Sequence, residues 1–325
     1  MEYKVSWAVC TGRRHRIENI PCQDWVTVRR EEALVCCALA DGAGSRSHSA
    51  LGAECVTRTM AELLSGRFEE LWAMEPAPLA ETVIGRCVQA LNSLEPPIYD
   101  LACTLLFCAA HRDGRFLAGH LGDGVMILEA KGNLSVFSPP ENGAYQNETY
   151  FITGADAVHH LRLQRGQWPE EGALLMMSDG TADSLYHYAD GIPAAACRTL
   201  AEWLREGEEE TVSQAIQDNL EQTFANRTSD DMSLILLSWQ GDSAFSEEIP
   251  PEEAEGSLSG DGEAGQAADI LLGGADLNRE AQPQGVEAPL WDGDAPTQEA
   301  ISDGIQYSLT ERGDAWHESG MDRPL

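Results

Sequence analysis

Several aspartates share one context at the ends of apolar runs. Asp41 closes Leu34–Ala40 and opens Asp-Gly-Ala-Gly-Ser. Asp179 closes Ala173–Ser178 and opens Asp-Gly-Thr-Ala-Asp, with Asp183 four residues on. Asp123 sits in Gly-Asp-Gly, Asp230 and Asp231 immediately precede Met232–Gln240, and Asp24 leads into Trp25–Arg29. Taken singly, each reads as an Asp-Gly turn or a helix cap. If the strand ends converge, however, the carboxylates repel one another unless a cation neutralises them. An all-oxygen cluster suits Mg²⁺ or Mn²⁺ and not zinc. Glycine after Asp41, Asp123 and Asp179 would let the backbone approach an ion and lend it a carbonyl. Two such ions sharing a water would turn it into a nucleophile for in-line attack on phosphorus.

The elements that must position these residues follow from hydrophobic spacing. Strands are expected over Tyr3–Cys10, Trp25–Arg29, Glu32–Ala40, Ala102–Ala110, Arg115–Leu121, Val125–Ala130, Asn133–Ser138, Ala173–Ser178 and Met232–Gln240. Helical spacing marks Ser49–Leu64, with Ser47 or Ser49 as N-cap, then Leu79–Leu94, Ile192–Arg205 and Thr211–Phe224. The breaks Asp113-Gly114, Gly122-Asp123-Gly124 and Lys131-Gly132 are hairpin chemistry. Helices between groups of hairpin-linked strands predict an α+β fold of packed antiparallel sheets covered by helices, not a doubly wound parallel sheet.

Charge divides the chain in two. Of a formal −33, residues 241–325 carry 20 acids and 3 arginines, with 12 Gly and 6 Pro. That segment is expected to be a mostly disordered acidic tail following a folded domain over 1–240. Islands at Asp269–Leu272 and around Trp291 and Trp316 are candidate docking motifs, although a solubilising tail is the simpler reading. The acidity argues against nucleic-acid binding and against docking on anionic lipid. No leader-like segment and no span-length apolar run is found. Nine cysteines, odd in number and without a C-x-x-C pair, predict reduced, buried thiols in a cytoplasmic protein and no zinc site.

The ordered motifs Gln23-Asp24, Asp41-Gly42-Ala43-Gly44-Ser45, Ala102-Cys103-Thr104-Leu105, Gly122-Asp123-Gly124, Ser178-Asp179-Gly180 and Ser229-Asp230-Asp231-Met232-Ser233 span residues 5–240. Together they resemble the metal-dependent type 2C (PPM) protein serine/threonine phosphatases, in their divergent bacterial branch; Asn147-Glu148-Thr149 resembles that branch too. The resemblance implies a central antiparallel β-sandwich flanked by helices in α/β/β/α layers. It implies two Mn²⁺ or Mg²⁺ ions, held by Asp24, Asp41 (bridging), the Gly42 carbonyl, Asp179 and Asp230. A third ion would be held by Asp123 and Asp183. Asp231 is the fallback ligand to Asp230, and Thr104 and Asn147 are expected to support loop geometry.

Two departures stand out. Many members have an Arg five residues before the first metal Asp to grip the substrate phosphate, and here that position is Asn19. Arg13, Arg14 and Arg16 lie just upstream and read either as replacement donors or as surface charges at a loop. Ala43 occupies the place of a proposed proton donor, which leaves water, His15 or His48; His48 reads better as a polar helix-start residue. Glu208–Glu210 reads as a solvated helix start without chemistry.

The resemblance also implies phosphoprotein substrates and a cognate kinase, and a monomer is expected. Three rival readings remain. One is a catalytically weak or dead module that binds phosphoproteins or signalling partners, motivated by Asn19. Another is a thiol-dependent phosphatase using Cys10 and Arg16 at Cys-x₅-Arg spacing. The last is a metal-dependent nuclease, which lacks an evident basic face.

Overall fold

Strand β3 (Leu34–Ala40) is apolar throughout because both of its faces are covered. Leu34, Cys36, Ala38 and Ala40 pack among helix residues, while Val35, Cys37 and Leu39 belong to the layer between two sheets. Alternation is therefore absent where a strand is sandwiched on both sides. The structure is a computed structural model, and it describes residues 1–141 and 149–241. Asn147, Glu148 and all of the acidic tail beyond Gly241 lie outside the described residues.

One sheet runs β1–β12–β9–β6–β7, built from β1 (Glu2–Cys10), β12 (Met232–Gln240), β9 (Glu171–Met177), β6 (Val125–Ala130) and β7 (Asn133–Ser138). The other runs β2–β3–β4–β5–β8, with β2 (Trp25–Glu31), β4 (Leu105–His111), β5 (Arg115–Leu121) and β8 (Arg162–Gln167). Every pairing within the two sheets is antiparallel. Helices α2 (Ser49–Ala73) and α3 (Pro76–Leu91) cover the second sheet. On the outer face of the first sheet lie α5 (Asp179–Leu185), α6 (Ala196–Glu206) and α7 (Glu209–Gln222). The result is the α/β/β/α sandwich expected from the sequence, with an apolar core in each interlayer.

The register places the functional strand ends together. Trp25 pairs with Ala40, Leu105 with Leu121, Val125 with Met177, Met177 with Leu234 and Cys10 with Met232. The residues just outside these pairs include Asp24, Asp41, Asp123, Asp179 and Asp231, so they emerge at one end of the sandwich.

Several elements differ from expectation for local reasons. The strand expected from Ala102 begins at Leu105, because Cys103 bridges to Gly42 instead of continuing the ladder. The helix expected from Ile192 begins at Ala196; Ile192–Pro193 forms a short strand β11 paired with β10 (Tyr186–His187). The stretch read as a loop at Arg13 is a short helix, α1 (Arg13–Glu18). A four-residue helix α4 (Ala157–His160) and the polar edge strand β8 were not foreseen. The start of α7 is more than solvated: Glu209 accepts the Val5 N–H at 2.6 Å and pairs with Arg30.

Candidate metal centre

Asp41, Asp123 and Asp179 each bring a carboxylate oxygen within 4.8 Å of the other two. Each comes from a different strand end, which is why the cluster is invisible to local spacing. Asp41 is held by a reciprocal pair of bonds with Thr104: its N–H donates to Thr104 Oγ1 at 2.9 Å, and its carbonyl accepts the Thr104 N–H at 2.9 Å. The Thr149 hydroxyl donates to Asp123. Gly42 passes so close to its neighbours that a Cβ there would lie 2.8 Å from the Gln23 carbonyl oxygen. At Gly180 a Cβ would meet the Asp231 carbonyl oxygen at 2.2 Å. The glycines after these aspartates thus permit chain crossing at the site.

Asp24 is almost fully buried beside this trio. Its Oδ2 accepts the Ser233 hydroxyl at 2.7 Å, while its Oδ1 has no hydrogen-bond partner among the described residues. A buried, orphaned carboxylate oxygen is costly unless something else binds it. Burial pushes the Asp24 carboxyl up to about 6, and the Ser233 hydrogen bond offsets part of that rise. Asp179 is pushed up to about 7, first by burial and then by Asp123, Asp24 and Asp230. Asp41 rises well above the usual carboxylate range through burial, with Asp24, Asp179 and Asp123 adding repulsion. Such a cluster holds protons or a cation, and the orphaned Asp24 oxygen together with the all-oxygen donor set fits a hard divalent ion.

The adjacent aspartates before β12 divide their roles. Asp230 is exposed, and its charge raises the carboxyls of Asp123, Asp179 and Asp183. Asp231 is buried and already engaged: it accepts the N–H of Gly12 at 2.6 Å, the N–H of Gln23 at 2.6 Å and His15 Nδ1–H at 2.8 Å. Asp231 is thus committed to a clamp, whereas no side-chain hydrogen bond of Asp230 is seen among the described residues. Asp183 is exposed on α5, and partial desolvation raises its carboxyl above the usual range, with Asp230 adding repulsion.

The basic residues near the N-terminus are placed less directly. Arg13, Arg14 and Arg16 are exposed on α1, with Arg14 3.5 Å from Glu18. The start of α1 adjoins the Asp230 segment through the Arg14 N–H, which donates to the Ser229 carbonyl at 3.1 Å. His15 is buried against Asp231, which fixes its ring in the clamp. Asn19 ends α1 with φ 55, a left-handed position that asparagine tolerates well and arginine less so. His48 is exposed beside the start of α2, bonded to the neighbouring Ser47 hydroxyl at 2.9 Å. Sequence reasoning names Ser233 and Thr149 only within motifs and gives them no role, because their partners are distant in the chain. Ser178 was quoted only as part of a motif, but its hydroxyl accepts the Ser233 N–H at 3.0 Å and joins the same seam.

Residues 11–223 match the family Protein phosphatase 2C. The chain belongs to that family. This phosphatase 2C chain is 26% identical over 211 residues to Serine/threonine-protein phosphatase 3 of Escherichia coli (strain K12), covering 62% of the chain and 78% of the relative. Its fold is similar to that of a crystallised bacterial serine phosphatase, with TM-score 0.53 and 16% identity over 74% of this chain and all of the other. A serine/threonine phosphatase from S. agalactiae gives TM-score 0.51 at 16% identity, again over 74% of this chain and 100% of that one. No helix among the described residues of this phosphatase 2C chain is long and apolar enough to cross a membrane.

Proposed function

We propose that this phosphatase 2C chain is a Mn²⁺- or Mg²⁺-dependent protein phosphatase that hydrolyses phosphoserine or phosphothreonine, with residues 1–240 as its catalytic domain. The observation that carries this reading is the convergence of Asp24, Asp41, Asp123 and Asp179 at one end of the sandwich, with an orphaned buried oxygen on Asp24. Asp24, Asp41, the Gly42 carbonyl, Asp179 and Asp230 would hold two ions, and Asp123 with Asp183 a third. When bound, the ions supply charge neutralisation and Lewis acidity toward the phosphoryl group and its attacking water.

The chain's own residues set the geometry. Thr104 fixes the Asp41 backbone, Ser233 orients Asp24, and Thr149 orients Asp123. Asp231 ties the segments bearing Gly12, His15 and Gln23 to the start of β12, so that Asp24 and Asp230 keep their separation. Hydrolysis would be direct, without a phosphoenzyme; the thiol at Cys-x₅-Arg spacing, Cys10, is buried and its pKa is raised by that burial. The substrates are phosphoproteins, opposed by a kinase, and the enzyme acts as a soluble cytoplasmic monomer.

Hydrolysis of a phosphothreonine peptide with and without Mn²⁺ tests this reading, with Asp41→Ala and Asp179→Ala as controls. Turnover that survives excess chelator, or both substitutions, refutes it. A second reading, a catalytically weak or dead binding module, is favoured by Asn19 serving as a helix cap where an arginine would grip phosphate. Calorimetry separates the two: a dead module binds no Mn²⁺ at millimolar concentration.

A further inference from the structure

A pocket of about 290 Å³ adjoins the carboxylate cluster but contains none of its aspartates. Its floor is Ala102, whose carbonyl accepts the Ala43 N–H at 2.9 Å. One wall is Arg46, whose N–H donates to the Ala43 carbonyl at 2.9 Å, so this wall continues the loop that begins at Asp41. The lining also includes Thr149 and Tyr150. Thr149 bonds Asp123, the Tyr150 ring stacks on His160 with centroids 3.4 Å apart, and the Ile152 N–H ties the segment to the Cys103 carbonyl at 2.9 Å. The pocket therefore shares Thr149 with the Asp123 site and its Arg46 side with the loop that follows Asp41.

Arg46 is exposed, and its guanidinium makes no hydrogen bond or ion pair with any described residue. Several other arginines of this acidic chain are engaged, among them Arg58 with Glu54, Arg115 with Glu69 and Asp113, and Arg205 with Glu129 and Glu171, so what sets Arg46 apart is its place in the pocket lining. An unpaired guanidinium in a lined pocket presents its planar donor fork to a carboxylate or a phosphate. Asp156 lines the same pocket, and its carboxylate opposes Arg46 in selecting a neighbour by charge.

We propose that this pocket is a specificity subsite for an anionic side chain, carboxylate or phosphate, flanking the phosphoresidue, and that Arg46 selects it. This rests on the phosphatase reading above and adds to it the substrate's local chemistry.

The test uses the full chain with Mn²⁺ and phosphothreonine peptides that differ only in a flanking residue: Glu, phosphoserine, Ala or Lys, scanned on both sides. Phosphothreonine cleavage is followed by mass spectrometry, and para-nitrophenyl phosphate reports hydrolysis that needs no flanking residue. The Glu or phosphoserine peptide should exceed the Ala peptide in kcat/KM by about 5- to 20-fold. The Glu and phosphoserine arms tell a carboxylate preference from a phosphate one. That ratio should collapse toward one in Arg46→Ala and invert in favour of Lys in Arg46→Glu. Equal ratios in the native protein, a native preference for Lys, or a ratio unchanged in Arg46→Ala overturns the subsite while hydrolysis of para-nitrophenyl phosphate leaves the phosphatase reading standing. Failure to hydrolyse any of these substrates overturns both.

Discussion

Asp231 accepts the backbone N–H of Gln23 at 2.6 Å across 208 residues of chain, and so fixes Asp24 against the start of β12. The same carboxylate takes the Gly12 N–H and the His15 ring. Its exposed neighbour Asp230 instead adds its charge to the field that raises Asp179. Asp231→Ala would strand three buried donors, at an expected cost of about 3–5 kcal/mol. Asp230→Ala removes one of several like charges, so stability in chelator should hold or rise while Mn²⁺ affinity falls at least about tenfold. Urea midpoints and calorimetry on the two variants check this, and matching losses in both would contradict the division of roles.

The pH response of the cation-free protein has a definite sign. Folded Asp24 and Asp179 are pushed up to about 6 and about 7, against an ordinary 3.8. Between those values the folded state binds more protons than the unfolded chain, so the cluster's contribution to stability falls as pH rises from about 4 through 7. In chelator, the Tm should decline between about pH 5 and pH 8, and saturating Mn²⁺ should flatten or reverse that slope. Binding of Mn²⁺ near pH 6 should also release protons, seen as a heat that changes with the buffer's ionisation enthalpy. A rising Tm in chelator over that range would be inconsistent with the buried cluster.

Glycine tolerance should split by location. An ideal Cβ at Gly180 lies 2.2 Å from the Asp231 carbonyl oxygen, so Gly180→Ala must separate the backbone of Asp179 from that of Asp231. The expected loss is about 2–4 kcal/mol, with weakened Mn²⁺ binding. At Gly85, within α3, a Cβ would meet nothing within 4 Å. Gly85→Ala should stabilise by about 0.5–1 kcal/mol through helix propensity and leave Mn²⁺ binding intact. Thermal melts of the pair, with and without Mn²⁺, would expose any failure of this contrast.

What could be seen in the sequence depended on how each element is buried. β12 was legible to the residue because an apolar strand covered on both faces reads as one continuous run. α5 was not, since its Thr181 and Ser184 are polar yet buried, and Thr181 satisfies its hydroxyl on the Ser233 carbonyl at 3.0 Å. β8 was hidden by its composition, Arg-Leu-Gln-Arg-Gly-Gln, which suits a partly exposed sheet edge. At the site, Asp41, Asp123 and Asp179 were conspicuous because Asp-Gly or Gly-Asp-Gly punctuates an apolar run. Ser233 and Thr149 gave no such mark; what identifies them is a contact with a distant aspartate. That Asp231 is taken up by Gly12, His15 and Gln23 was likewise invisible in the sequence, because all three partners lie more than 200 residues away.

The Cys10–Arg16 spacing invites a thiol mechanism, and the fold argues against it. β1 carries Cys10 into the apolar layer beneath α6 and α7, where the residue is 4% exposed and its Sγ lies 3.7 Å from the Thr11 carbonyl. Burial raises the thiol above its ordinary value, and Arg16 offsets only part of that. A nucleophilic cysteine needs the thiolate, which this environment disfavours. Cys10→Ser should therefore keep Mn²⁺-dependent turnover within about twofold while losing about 1–2 kcal/mol of stability from the buried hydroxyl. Asp41→Ala should abolish turnover under the same conditions. A collapse of activity in folded Cys10→Ser, together with a phosphate adduct on the native protein in intact-mass spectra, would restore the covalent route.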